Sequence, residues 1–272
     1  MTFAPEAVRA FEHAGWQRAA AAYDTTFARA SGEFVEALLD AAGVSPDLAV
    51  LDLCCGTGIV GRAAKARGAI PTGLDFSPAM LAQAHFNGPG IRFEQGDAEA
   101  LPFNASTFDV VVSNFGVHHV PVPARAMAEA SRVLKPGGRV ALATWAAPAE
   151  NIAWKLLFDA IRAHGDPNAA KAPPSGGNLD SAEAMGRLLD SAGFAEIKID
   201  TVRRLWRLAD GATLIAAFRE GTARTAALIA AQSPEAMPAI VAHIDLAAAP
   251  YRDGGGIAVP IVAYLARGRK PA

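Results

Sequence analysis

The sequence predicts a mostly parallel, doubly wound α/β sheet, and three observations carry that prediction. Short apolar runs of strand length alternate with helical segments between Leu48 and Trp145. The first of these runs, VLDL, breaks at once into CCGTGIVGR, a glycine turn that opens a helix. The helix before the fifth run stops at LKPGG, a helix terminator and turn.

The first 46 residues precede this alternation. Over 5–42 the apolar positions Phe11, Trp16, Ala20, Tyr23, Phe27, Phe34, Val35, Leu38 and Leu39 fall at helical spacing, and Gly43 and Pro46 end the region. Residues 1–46 therefore read as an N-terminal helical cap. Strands follow at 48–53, 70–74, 91–95, 108–114 and 139–144, with helices at 58–67, 78–86 and 123–134. Beyond Trp145 a helix near 150–164 leads into HGDPNAAKAPPSGGN, which predicts a mobile loop over 165–180. DSAEAMGRLLDSAGF is a helix capped by Asp180 or Ser181 and stopped at Gly193. AEIKIDTVRRLWRL alternates as a strand, 210–249 is helical, and GIAVPIVAYLARGRK is a last strand. The chain thus divides into a core at 47–205, a helical insertion at 206–256, and a final strand and tail at 257–272.

Composition narrows the function classes. At 272 residues, with 51% hydrophobic and 19% charged residues, the chain can bury a sizeable core. A net charge of −2 gives no electrostatic reason to expect a nucleic-acid partner. The two cysteines, Cys54 and Cys55, are adjacent, so no ordinary disulfide framework is available and a reducing cytoplasm suits the chain. MTFAPEAVRAFEHAGW lacks the basic and apolar regions of a signal peptide, and no run of about 18 apolar residues predicts a membrane span. No His, Cys, Asp or Glu set has metal-ligand spacing, so no metal is expected.

The loop GTGIVG matches the glycine fingerprint of dinucleotide-binding folds. A dinucleotide would bring its pyrophosphate to the helix N-terminus. S-adenosylmethionine has no phosphate but carries an ammonium, which Asp52 at the strand end could bind directly or through water. Asp75, ending the second strand in GLDFSPAML, can hold ribose hydroxyls under either reading. The loop by itself leaves both open.

The downstream segments discriminate. EQGDAEALPF puts Asp97 just past the third strand, FDVVVSNFGVHHV ends the fourth, and RVLKPGGRVAL supplies a helix stop, a turn and the fifth. In this order, over about residues 48–145, the chain resembles the class I S-adenosylmethionine-dependent methyltransferases, particularly the ubiquinone/menaquinone-biosynthesis-like group often called type 11. The resemblance implies a Rossmann-like, seven-stranded sheet, S-adenosylmethionine as cofactor and S-adenosylhomocysteine as product. It further implies that Asp52 and the Gly56–Gly58 turn contact the methionine portion, Asp75 the ribose, and Asp97 with Ala98 the adenine. Phe76 and Met80 would flank the adenine ring, and Asn114 would lie beside the sulfonium. Because an uncovered sulfonium would face water and the core supplies no lid, the N-terminal cap is expected to close over it with Trp16 and Tyr23 on the cofactor side. Cys54 stands where the family's first loop glycine usually stands.

Structural readings compete at several of these positions. Asp97 can be the N-cap of AEAL, and Cys54 and Cys55 small core residues. His118 is either a base in the acceptor pocket or, with His119, a hydrogen-bonded structural pair. Arg203, Arg204 and Arg207 read as a solvated strand face. Methyl transfer to a small acceptor needs alignment and exclusion of water, and a base only if the acceptor is protonated. The segments outside the core would form the acceptor pocket, and Leu214, Ile215, Phe218, Met237 and Ile240 favour a partly apolar acceptor. Glycine-rich turns around 175–177 and 254–256 would let the cap close as ligand binds. The competing reading puts 210–249 on the far side of the sheet or in a homodimer interface. A non-catalytic S-adenosylmethionine-binding protein and an NAD(P)-dependent oxidoreductase are the alternative functions; the latter lacks a recognisable Tyr-x-x-x-Lys site.

Overall fold

A computed structural model describes residues 3–175 and 177–272. Met1, Thr2 and Gly176 lie outside the described residues, so the start of the expected signal-free N-terminus and one glycine of the expected 175–177 bend are not covered. The chain opens with α1 (Pro5–Tyr23), α2 (Ala28–Ser31), a 3-10 turn at Gly32–Phe34 and α3 (Val35–Ala42). Gly43, at φ 63°, ends α3 in the left-handed conformation that glycine adopts without a Cβ penalty. Then come β1 (Ala49–Leu53), α4 (Ile59–Ala66), β2 (Ile70–Asp75), α5 (Pro78–Asn87), β3 (Arg92–Gln95) and β4 (Phe108–Asn114). A 3-10 turn at Val117–His119 leads to α6 (Pro123–Val133), β5 (Leu134–Trp145), α7 (Ile152–His164), α8 (Ala182–Ser191) and β6 (Ala195–Leu208). The remainder is α9 (Gly211–Gly221), α10 (Arg224–Ala230), α11 (Met237–Ala247), a 3-10 turn at Ala249–Tyr251, β7 (Arg252–Asp253) and β8 (Gly256–Arg269).

The strand order is β3-β2-β1-β4-β5-β8-β6, with the short β7 beside β8. β1 to β5 are mutually parallel, and β8 runs antiparallel to both β5 and β6. The expected seven-stranded, mostly parallel sheet is present, and the two-residue β7 is the addition. In β4, Val110 and Val112 enter one core while Val111 enters the other, the two-residue period of a strand buried on both faces. The first core includes α3, α4, α7 and α9 to α11; the second is built on α6 and α8.

Two details differ from the sequence expectations, and a third decides between two of them. LKPGG is not only a stop: Leu134 already pairs with Phe108, and the register then shifts so that Arg139 pairs with Val110. Gly137, at φ 73°, makes that irregularity possible. Ser181, not Asp180, caps α8, accepting a bond from Ala184 N at 3.2 Å. The helices of 210–249 are also more than a cover, because Leu214, Phe218 and Ile244 are fully buried in the first core. They leave the sheet from the β6–β8 pair, whose register runs without interruption from Lys198↔Arg267 to Leu208↔Ile257. Among the described residues, no helix is long and apolar enough to cross a membrane.

Candidate functional site

The loops after β1, β2, β3 and β4 meet at the carboxyl ends of the parallel strands, where such sheets bind ligands. The first loop turns sharply, with Cys54, Gly56 and Gly58 at φ 60°, 52° and 78°. Asp75 ties it to the second loop. Its Oδ2 accepts from Gly56 N and its Oδ1 from Ser77 N, both at 2.9 Å. Burial pushes its carboxyl up, while these amides and that of Phe76 oppose the shift.

Asp52 and Gly58 stand behind this loop. Asp52 is 1% exposed, and its Oδ2 accepts from Gly61 N of α4 at 3.0 Å. Gly58 packs inward, because a Cβ there would lie 2.8 Å from Phe93 Cζ. Neither lines the cavity that the loops enclose. Tyr23, Cys54, Gly56, Asp75, Phe76, Met80, Asp97, Ala98 and Asn114 do line it, around about 700 Å³ of open space. His118 does not; it faces a second cavity.

Helix α1 roofs the first cavity with Arg9, Trp16 and Tyr23. Polar ties hold it to three loops. Gln17 Oε1 accepts from Ser77 Oγ at 2.6 Å and from Ala79 N at 2.8 Å. Asp24, just past α1, accepts from Thr57 Oγ1 and Asn87 Nδ2. Arg9 pairs with Asp97 and reaches Glu99 Oε1 at 3.4 Å. Asp97 Oδ1 also accepts from Glu99 N at 2.9 Å, but AEAL forms a turn closed by an Asp97–Ala100 bridge and not a helix, so Asp97 is no helix N-cap; it braces the turn from the cavity wall. Asn114 donates from Nδ2 to Ser31 O at 3.0 Å, leaving its buried Oδ1 without a partner.

The second cavity adjoins the first, and among the described residues only Trp16 and His119 line both. Phe27, Trp145 and Trp154 give it aromatic walls, and residues 222–225 at the start of α10 close one side. Burial, with His119 and Arg224 nearby, holds His118 well below the ordinary histidine range, so its imidazole is neutral. Glu12 lies between the cavities, 0% exposed. Its Oε2 accepts from Trp16 Nε1 at 3.2 Å and sits 3.0 Å from His119 Nδ1, a close contact without the alignment of a hydrogen bond. Its Oε1 accepts from Arg224 Nε at 2.5 Å. Burial alone would raise the Glu12 carboxyl; His119 and Arg224 outweigh it and hold the group below its usual range.

Sequence reasoning did not single out Arg9, Glu12, Arg224, Trp145 or Trp154 as functional. For Glu12 a signal existed. It lies on the stripe Val8, Glu12, Gly15, Ala19, the buried face of α1, where a carboxylate needs a partner. Nothing local marks Arg224 as that partner. Among the described residues no metal-binding cluster occurs.

A family model described as a methyltransferase domain matches residues 51–142. The demethylmenaquinone methyltransferase of Renibacterium salmoninarum is 40% identical over 111 residues, 41% of this chain and 47% of that protein. The match thus spans about half the length of that relative. An uncharacterized methyltransferase of Synechocystis sp. is 36% identical over 163 residues, 59% of this chain and 73% of that protein. The fold matches a solved phosphoethanolamine N-methyltransferase 2 of Haemonchus contortus in complex with S-adenosyl-L-methionine, with a TM-score of 0.53 and 19% identity. That match covers 88% of this chain and 52% of the other.

Two predictions follow from the loop geometry. A methyl group on Gly116 would lie 2.4 Å from Cys54 Cβ and 2.9 Å from Ser113 Oγ, a hydroxyl that can rotate. Gly116→Ala should therefore destabilise the fold by about 1–3 kcal/mol in urea titration. Cys54→Gly, which also relieves a positive φ, should recover most of that loss; equal losses in both backgrounds would refute the contact. The second concerns pH. Burial pushes Asp52 up to about 7, against about 3.9 for an unburied aspartate. Between these values the native chain holds a proton that the unfolded chain has released. The resulting stabilisation is complete below about pH 4 and is lost as pH rises through 7. The melting temperature of Asp52→Asn relative to the wild type should thus be several degrees higher at pH 8 than at pH 5. Equal differences at both would mean that Asp52 ionises like a surface aspartate.

Proposed function

We propose that this chain, which belongs to the class I S-adenosylmethionine-dependent methyltransferases of the ubiquinone/menaquinone-biosynthesis-like group, transfers a methyl group from S-adenosylmethionine to a small, partly apolar acceptor. The observation that carries this reading is the pair of adjoining cavities sharing Trp16 and His119, one lined by Asp75 and Asn114, the other walled by aromatic rings. Donor and acceptor must meet, and two sites with a common wall permit it.

The glycine loop supports a ligand without phosphates. Gly56 N donates to Asp75, Gly58 N to Cys55 O and Gly61 N to Asp52, so three amides that could cradle a pyrophosphate are already used. The cation at the cavity wall, Arg9, is paired with Asp97 and Glu99. What the first cavity offers is acceptors, among them the unpartnered Asn114 Oδ1, and these suit an ammonium and ribose hydroxyls. In this reading Asp75 holds the ribose. Phe76, Met80 and Ala98 enclose the adenine, whose amino group shares Asp97 with Arg9. Tyr23, Cys54, Gly56 and Asn114 surround the methionine portion, while Asp52 and Gly58 act through the loop they support.

When bound, S-adenosylmethionine supplies a methyl group on a sulfonium that leaves neutral. The chain's work is then to align the acceptor and exclude water, with α1 as the roof and α9 to α11 as the cap beside the second cavity. His118, neutral and depressed, is suited to accepting a hydrogen bond from the acceptor; its low basicity makes it an orienting group rather than a strong base. The aromatic walls suit a flat or apolar acceptor.

Incubation with methyl-labelled S-adenosylmethionine and a panel of quinols, phenols, amines, thiols and carboxylic acids tests the reaction. Reduced demethylmenaquinone analogues head the panel because they are the acceptors that the menaquinone-type relative's name indicates. Label should pass to at least one apolar acceptor; tight binding of S-adenosylhomocysteine with no transfer would favour the non-catalytic reading. Asp75→Ala should weaken S-adenosylhomocysteine at least about tenfold by calorimetry, since about 1.4 kcal/mol is one decade and a charge-assisted bond is worth that much or more. An unchanged Kd in the folded variant would remove Asp75 from the site.

A further inference from the structure

Trp16 and His119 form the wall common to the two cavities, and Glu12 contacts both. The same carboxylate accepts from Arg224, which lines only the second cavity. Arg224 Nη1 in turn donates to Pro173 O at 2.7 Å, reaching the segment between α7 and α8 that also lines this cavity. The helices are in close contact at this joint: a Cβ on Gly15 of α1 would lie 2.5 Å from Ala223 Cβ. The joint is therefore tightly packed, and it is held by the ion pair of buried Glu12 with half-buried Arg224 and by Arg18, which donates from Nη2 to Thr222 O at 3.3 Å. Glu12 is the contact through which a shift of Trp16 or His119 would reach Arg224.

We infer that Glu12 is a positioning residue that couples the two cavities, transmitting the arrangement of the cofactor wall to the acceptor wall through Arg224. Resting on the reading that S-adenosylhomocysteine occupies the first cavity, this assigns Glu12 a role that touches neither ligand. A carboxylate fully buried on a helix is costly unless it is paired and bonded on both oxygens, and here each oxygen serves a different cavity. Oε2 fixes the shared wall and Oε1 fixes the far one. A ligand that orders Trp16 and His119 orders Arg224 with them, so the acceptor site is completed only when the donor site is filled.

Hydrogen exchange read by mass spectrometry, with and without saturating S-adenosylhomocysteine, separates this from the reading beneath it. In the wild type the ligand should slow exchange at 54–61 and 75–80, the first cavity, and also at 222–230, the start and body of α10. Glu12→Gln keeps the volume and removes the charge. Protection at 54–61 and 75–80 should persist in it, while protection at 222–230 should fall at least about threefold. Arg224→Gln should behave in the same way should Glu12→Gln fail to fold, and Arg224→Lys, which keeps the cation, should retain the protection. A purely structural Glu12 would change 222–230 equally with and without ligand. Protection at 222–230 that is absent in the wild type, or that survives in the folded Gln variants, overturns the coupling. Loss of protection at 54–61 and 75–80 in the wild type itself would instead overturn the cofactor assignment.

Discussion

Everything at the carboxyl edge of the sheet hangs on one carboxylate that binds two loops at once. Asp75 ends β2 and accepts from the amides of Gly56 and Ser77, so the turn after β1 and the cap of α5 are fixed relative to each other. With its amides so committed, the glycine loop becomes a smooth wall rather than an anion cradle. A glycine fingerprint can thus look like that of a dinucleotide fold and still suit a ligand without phosphates. Asp52 repeats the device one layer down, accepting from Gly61 N. Both are buried, and for both burial raises the carboxyl above the usual range.

On this frame sits a roof made by sequence that precedes the sheet. Helix α1 packs Ala19 and Ala20 against Met80 of α5 and is tied to the loops by Gln17, Arg9 and, just past its end, Asp24. Polar ties of this kind are directional, so they set where Trp16 and Tyr23 point as well as how firmly the helix is held. Glu12 extends the same logic to the cap. The insertion between β6 and β8 is anchored in the core by Phe218 and Ile244, yet the start of α10 faces the second cavity. One element therefore packs on the sheet and borders a pocket through residues 222–225, while Leu214, Ile215, Phe218, Met237 and Ile240, the residues the sequence pointed to, belong to the first core.

The strands were legible because their signal is local. Val110, Val111 and Val112 read as a doubly buried strand, and the two cores they enter confirm it. The same holds for Gly43 and Ser181, whose φ or side-chain bond involves only near neighbours. The Leu134 to Arg139 irregularity was less legible, since a partner strand decides how an extra loop is absorbed. Within the site, the sequence picked out Asp75, Phe76, Met80, Asp97 and Asn114, all of which meet in one cavity. It also grouped Asp52 and Gly58 with them, because spacing along a loop does not say which side of the loop a residue faces.

By itself the sequence determined the sheet, the order of its strands along the chain and the set of loops that converge at one edge. Those features follow from periodicity, turn chemistry and the backbone freedom of a few glycines, all written in contiguous residues. Only the tertiary structure decided which polar groups would partner one another. Arg9 finds Asp97 across 88 residues and Arg224 finds Glu12 across 212. Such pairs depend on how α1 packs against α5, α9 and α10, and helix packing permits several angles for the same amphipathic pattern. The division of the site into two cavities with a common wall is a product of that packing, and no local stretch of the chain encodes it.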